Sequence, residues 1–254
     1  MNRLPALTLL IAAGLTAGAQ SELPNAPAPQ PQPAVTVLDS PGRILHDQAA
    51  IWTSPTRIRA HDLVWLAPVA AAEAAALATD HRAMSTVVST NPTFNHDNVD
   101  VSNVLIGGLI ALPVGIFSYG HLEQDDHART AGILSAEALL DGVAVEQGMK
   151  LIFWRERPGV DQSRGRFFQS SAGIDSSFPS SHTVLAWATA SELAGEYPSP
   201  WAQAGLYSMA GAVSLTRVLG RSHFPGDVLA GSVAGWLVGR YVFRAHHRHH
   251  LDAR

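Results

Sequence analysis

A short polar segment ahead of an apolar run is the first place in this sequence where chemistry could occur. Residues 177–190 read SFPSSHTVLAWATA, so Ser180, Ser181 and His182 stand at the head of a run that favours a helix. The first turn of a helix has unpaired N–H groups and a partial positive charge, and it can therefore hold an anion such as phosphate. A histidine beside a bound phosphate can move a proton. An ordinary helix start with a serine cap would also explain the segment.

A second polar cluster, KLIFWRERP, contains Lys150 and Arg157 seven residues apart. Seven residues make nearly two helical turns, so the two side chains are expected on one helix face, roughly 10 Å apart along the axis. Pro158 discourages the helix from continuing past Arg157. Two cations on one face near a helix end could clamp an oxyanion. The alternative is a pair of solvated basic residues.

The third cluster, TRVLGRSHFPGDVLAG, places Arg217 six residues before His223, and His223 four before Asp227. Pro225 suits the first turn of a helix, which would put Asp227 in that turn. Asp227 would then accept a hydrogen bond from one ring nitrogen of His223 and leave the other nitrogen free as a nucleophile. An acidic helix-start residue with an incidental neighbour would explain Asp227 alone.

In their order and spacing, the three clusters resemble the signature of the type-2 phosphatidic acid phosphatase family. That signature is Lys, six residues, Arg-Pro; then Pro-Ser-Gly-His; then Ser-Arg, five residues, His, three residues, Asp. The superfamily also holds bacterial non-specific acid phosphatases and vanadium haloperoxidases. The resemblance covers roughly residues 61–245. Two positions depart from it, because Ser181 replaces glycine and Thr216 replaces serine.

The resemblance implies a role for each matched residue. His223 would attack phosphorus and form a phosphohistidine, and Asp227 would orient it. His182 would protonate the departing alkoxide and then activate water. The phosphate oxygens would be held by Lys150, Arg157, Ser180, Ser181 and Arg217. No metal or other cofactor is implied, and Ser181 is expected to be a tolerated change that can narrow the pocket or slow turnover.

The function implied is that of a metal-independent acid-type or lipid phosphatase, acting on a small phosphomonoester or a phosphorylated lipid. Two alternatives stay open. One is a vanadium-dependent haloperoxidase, for which vanadate would be the cofactor and not an inhibitor. The other is a non-catalytic helical membrane module whose site has decayed.

Composition narrows the class of protein. Only 15% of the 254 residues are charged, against about 25% in an average soluble domain, and 46% are apolar. The net charge of −4 argues against a nucleic-acid partner. Cysteine is absent, so neither disulfides nor thiol chemistry are available.

The hydrophobic pattern predicts an all-α bundle of about six helices with the active site at helix ends. The predicted helices are residues 61–79, 99–119, 126–155, 181–196, 201–219 and 225–243. Residues 101–120 carry no charge and are the best candidate for a membrane span. We therefore expect a compact bundle that dips into or lies on a membrane; a full six-span protein is the alternative.

The ends of the chain have their own patterns. Residues 1–19 resemble a secretory signal peptide, which predicts export to the periplasm or to a membrane facing it; an uncleaved anchor is the alternative. Residues 20–60 are predicted to be a proline-rich tether and N-terminal extension, and 61–245 the helical domain. Residues 246–254 form a histidine-rich tail, interpreted as a frayed polar terminus that could also bind metal.

Overall fold

The protein is all-α over the residues that its computed structural model describes, 35–251, with side chains described as far as His247. Within this range there are seven α-helices and no strand. They are α1 (Ser40–Thr53), α2 (Leu63–Arg82), α3 (Pro92–Leu122), α4 (Asp126–Phe153), α5 (Ser181–Glu196), α6 (Pro200–Leu219) and α7 (Pro225–Leu251). The predicted fold class is therefore confirmed.

The six predicted helices correspond to α2–α7, and the predicted bounds of α5 agree with the structure. The additional helix, α1, lies within the segment interpreted as a tether and extension, where neighbouring prolines obscure its pattern. The predicted signal peptide and the proline-rich residues up to 34 lie outside the described residues.

The predicted histidine-rich tail begins inside α7, which continues to Leu251. His246 Nε2 lies 2.7 Å from Asp47 Oδ2, and His247 Nδ1 lies 3.1 Å from Glu196 Oε1. Both carboxylates are buried. The first two tail histidines are therefore tied to α1 and α5, and the interpretation of this part as a loose polar terminus was wrong.

Helix α5 lies at the centre of the bundle, and α3, α4, α6 and α7 all pack against it. Two glycines of α7, Gly235 and Gly239, allow the closest approach. A Cβ at either position would overlap a backbone carbonyl oxygen of α5, that of Val184 or Ala188. Small residues thus bring the start of α7, which carries Asp227, against the start of α5, which carries His182.

Two of the helices are long and apolar enough to cross a membrane. These candidate spans are Ala60–Val87, which contains α2, and Pro92–Leu122, which is α3, with mean hydropathies of 1.3 and 1.9. The predicted span 101–120 lies inside α3. Apolar side chains such as Val64, Val104 and Val114 are exposed on these helices. This surface supports association with a membrane.

Candidate active site

The three polar clusters of the sequence meet at one end of the bundle. Lys150, in the last turn of α4, donates a hydrogen bond of 2.7 Å to Ser181 Oγ at the start of α5. Arg157, in the loop after α4, donates to the Ser222 carbonyl just before α7 at 3.2 Å. The structure thus brings residues from distant parts of the sequence to one set of helix ends.

His223 is buried at this end, with 1% of its surface exposed. Its Nδ1 lies 2.9 Å from the carbonyl oxygen of Ser177, which can only accept a hydrogen bond. Nδ1 therefore carries the proton in the neutral ring, and Nε2 keeps its lone pair. Burial lowers the pKa of His223 to about 4, despite the opposing charge of Asp227. The neutral ring is the form that a nucleophile requires.

Asp227 does not make the predicted hydrogen bond to His223. Its Oδ2 lies 3.6 Å from His223 Nδ1, because the N–H at Nδ1 donates its hydrogen bond to the Ser177 carbonyl. The carboxylate instead accepts from Ser177 Oγ at 2.5 Å, from the Phe224 amide at 2.9 Å and from Arg155 at 2.7 Å. Asp227 is thus joined to His223 through Ser177, whose hydroxyl binds the carboxylate and whose carbonyl binds the ring.

Arg155 is an interior residue that the sequence did not assign to the site. It is 2% exposed, and it donates to Asp227 and to Asp80 of α2, each at 2.7 Å. The rings of Phe167 and Phe224 lie 4.7 and 4.4 Å from its guanidinium carbon. Spacing alone could not distinguish Arg155 from its charged neighbours in the run RERP, because its carboxylate partners lie more than 70 residues away.

Lys150 and Arg157 do not share a helix face, contrary to the prediction. Helix α4 ends at Phe153, because Trp154 adopts a left-handed conformation with φ 39° and ψ 51°. Arg157 therefore lies in the following loop, where its Nε donates to the Asp175 carbonyl at 2.8 Å. The turn at Trp154 also directs Arg155 into the interior.

His182 lies in the first turn of α5, and its Nε2 is 3.0 Å from Oδ1 of Asn103 on α3. Burial and then the positive charge of Arg217 lower the pKa of His182 to about 4; His223, Lys150 and Arg157 act in the same direction. The second histidine and the three cations thus lie close enough to His182 to act on its charge. Asn103 was missed from the sequence because it belongs to none of the three motifs.

The start of α5 keeps its backbone N–H groups free of side-chain caps from the described residues. Ser180 occupies the N-cap position, but its side chain makes no capping hydrogen bond. Its Oγ accepts from Thr183 at 3.0 Å instead, and its amide donates to the Asp227 carbonyl at 3.0 Å. The ordinary serine cap is therefore not formed, and the helix start can accept an anion.

Arg157 and Arg217 form no ion pair with a carboxylate among residues 35–247. Arg217 is only 7% exposed, and burial together with the charge of Arg157 lowers its pKa to about 10. Its Nε has no hydrogen-bond partner within that part of the chain. A buried cation without a counter-ion is costly, and an oxyanion beside it would offset the cost.

Comparison with known proteins adds three findings. The model of the PAP2 superfamily matches residues 131–251, which contain all eight predicted site residues. A lipid A 1-phosphatase of Porphyromonas gingivalis is 38% identical over 65 residues, 25% of this chain and 15% of that protein. The chain therefore spans only a small part of this curated relative. The crystal structure of a transmembrane PAP2 type phosphatidylglycerolphosphate phosphatase from Bacillus subtilis matches with a TM-score of 0.44 and 17% identity, covering 83% of this chain and 96% of that one.

Proposed function

We propose that the protein is a metal-independent lipid phosphatase of the PAP2 type that acts through a phosphohistidine; the match of the superfamily model to residues 131–251 and the three motifs support this proposal. The observation that carries the proposal is the state of His223. Its Nδ1 proton is bound by the Ser177 carbonyl, so the Nε2 lone pair is available to react. Cations without carboxylate partners in the described structure share its electrostatic environment.

In the first step, His223 Nε2 forms a bond to phosphorus as the bond from phosphorus to the ester oxygen breaks. His182 gives its proton to the departing alkoxide. Charge on the three equatorial oxygens is stabilised by Lys150, Arg157 and Arg217, and by the amides at the start of α5. Asp227 maintains the orientation of His223 through Ser177.

In the second step, His182 takes a proton from water, and the oxygen of that water attacks the phosphorus of the phosphohistidine. The bond between phosphorus and nitrogen breaks, phosphate leaves, and His223 returns to its neutral form. In the free enzyme, the low pKa of His182 keeps it neutral at pH 7. A bound phosphate dianion opposes the neighbouring cations and thereby favours the protonated form that the first step needs.

A phosphorylated lipid is the substrate class that the surface of the protein supports. Helices α2 and α3 are exposed and apolar, which suits a protein that meets its substrate at a membrane. The lipid A 1-phosphatase relative acts on a lipid by its name, and its 65 aligned residues agree with this class. The signal-like pattern of residues 1–19 supports a site on the periplasmic side.

The proposal is tested by assaying purified protein in detergent micelles that contain a phosphorylated lipid, together with His223→Ala and a His61→Ala control. His61 is an exposed histidine away from the site. We expect vanadate-sensitive, chelator-resistant release of phosphate from the wild type and His61→Ala, and a loss of at least about 1,000-fold in His223→Ala. A short pulse with labelled substrate should trap an acid-labile phosphoenzyme only where His223 is present. Near-normal turnover of His223→Ala, or oxidation of halide with vanadate without phosphate release, would contradict the proposal.

A further inference from the structure

A carboxylate that belongs to none of the three motifs lies against Lys150. Glu146 is one turn earlier on α4, and its Oε2 lies 3.4 Å from Lys150 Nζ. The two residues are each 3% exposed. The other carboxylate oxygen of Glu146 accepts a hydrogen bond of 2.7 Å from the Gln147 side chain. Lys150 is therefore held by a buried counter-ion before any phosphate arrives.

The hydroxyl of Ser181 joins these two groups. It accepts a hydrogen bond of 2.7 Å from Lys150 Nζ and donates one of 3.1 Å to Glu146 Oε2. Glycine, which the motif has at this position, could make neither contact. The departure at Ser181 thus coincides with a carboxylate that this serine can bind.

Glu146 also changes the charge of the proposed phosphate site. Lys150, Arg157 and Arg217 together carry three positive charges, and neither arginine has a carboxylate partner within the described residues. One ionised carboxylate on Lys150 leaves a net charge of about +2, since the interaction is strong at this distance inside a protein. A phosphomonoester dianion carries about −2, which matches the summed charge of these three cations and Glu146.

We propose that Glu146 and Ser181 are positioning residues that hold Lys150 and reduce the positive charge of the phosphate site, so that it binds a monoester dianion and still releases phosphate. This inference rests on the proposed function. Glu146 touches no substrate in this account; it acts through Lys150. Ser181 keeps Lys150 at the start of α5, where the ester's phosphate would be bound.

The first test measures binding of inorganic phosphate at pH 8 by calorimetry. Glu146→Gln keeps the shape but removes the charge, Glu146→Asp keeps the charge, and Glu123→Gln makes the same change at an exposed glutamate. We expect Glu146→Gln to bind phosphate roughly tenfold more tightly, equivalent to ~1.4 kcal/mol, with kcat and KM both reduced. Glu146→Asp and Glu123→Gln should bind phosphate with affinities close to that of the wild type.

A second ligand separates charge from shape. Dimethyl phosphate carries one negative charge, so the gain in its affinity from Glu146→Gln should be about half that of phosphate on a logarithmic scale. Equal or weaker phosphate binding by Glu146→Gln, with wild-type binding and turnover intact, would overturn this inference and leave the proposed function standing. A wild type that neither binds phosphate nor hydrolyses substrate would overturn both.

A direct observation of Lys150 needs no change at Glu146, because Lys150 is the only lysine in the chain. In protein labelled with ¹⁵N-lysine, the Nζ signal should show ammonium protons that exchange slowly in the wild type. Ser181→Ala removes the shared hydroxyl and should speed this exchange at least about fivefold, since one of the two partners of the ammonium is lost. Unprotected ammonium protons in the wild type, or equal exchange rates in the two proteins, would show that Lys150 is not held as proposed.

Discussion

Arg155 donates a hydrogen bond of 2.7 Å to Asp227, and both side chains are buried. The same guanidinium binds Asp80 of α2 at 2.7 Å. Asp227 in turn accepts from the Ser177 hydroxyl, and the Ser177 carbonyl accepts from His223. An arginine at one of the six unspecified positions between Lys150 and Arg157 therefore connects α2 to the orientation of the proposed nucleophile.

Replacing Arg155 should lower the stability of the folded protein. Arg155→Met leaves Asp80 and Asp227 buried without their shared cation, so we expect the free energy of unfolding to fall by about 3–5 kcal/mol. Denaturant unfolding followed by circular dichroism measures this change. Adding Asp80→Asn to the variant removes one of the two unpaired charges and should restore part of the loss. An unchanged midpoint for Arg155→Met would show that the buried ion pairs contribute little.

Asn103 should position His182, because its Oδ1 lies 3.0 Å from the ring Nε2. Asn103→Ala removes this partner, and we expect kcat to fall about tenfold with KM changed less than about twofold, as for a group that orients a general acid. Steady-state kinetics on an alkyl phosphate, whose leaving group needs a proton, measures the effect. Asn98→Ala is the matched control, since among the described residues Asn98 bonds only its own helix, at the Phe94 carbonyl. Equal kinetics in the two variants would remove Asn103 from the site.

The pH dependence of turnover follows from the two histidines. His182 must be protonated and His223 neutral, and each has a pKa of about 4 in the free enzyme. The required proton on His182 is present below that pKa and is lost as pH rises, so kcat/KM should decline from acidic toward alkaline pH. Because a bound phosphate dianion raises the pKa of His182, kcat should decline only at higher pH.

Profiles of kcat and kcat/KM between about pH 4 and 9 test this expectation, after correction for the ionisation of the substrate itself. His182→Ala should lose the alkaline limb together with most of its activity. A value of kcat/KM that rises steadily from about pH 5 to about pH 8 would be inconsistent with His182 as the acid.

The close contact between α5 and α7 should depend on glycine. Gly235→Ala places a methyl group against the Val184 carbonyl, so we expect a loss of about 1–3 kcal/mol in the free energy of unfolding. Gly205→Ala, at an exposed position of α6 with no atom near the added Cβ, should instead stabilise the helix by about 0.5–1 kcal/mol. Thermal unfolding of the two variants in the same detergent compares them directly. Equal shifts in the two proteins would mean that the contact is not tight.

Much of the secondary structure and the residue content of the candidate site could be predicted from the sequence. Helix starts such as Pro200 and Pro225 are local signals, and the structure has α6 and α7 beginning there. The three motifs are also local, because each lies within a short stretch of chain. Helix α1 was not predicted, because its apolar residues lie among prolines and polar residues that are typical of a tether.

The hydrogen-bond partners of the site residues could not be predicted, because they come from distant parts of the sequence. The spacing of His223 and Asp227 predicted a direct hydrogen bond between them. In the structure, His223 Nδ1 instead donates to the carbonyl of Ser177, 46 residues earlier in the sequence. Arg157 does not lie on the predicted helix face, because α4 ends at Phe153 and the left-handed conformation of Trp154 turns the chain.

The sequence by itself therefore determined the helices and the set of groups at their ends, because periodicity, capping and motif spacing are properties of neighbouring residues. Only the tertiary structure decided which hydrogen-bond partner each of these groups has. Burial removes water as a partner, so each buried donor or acceptor must find another group in the fold. For Arg155 that group is Asp80, 75 residues away, and for His223 it is the Ser177 carbonyl, 46 residues away.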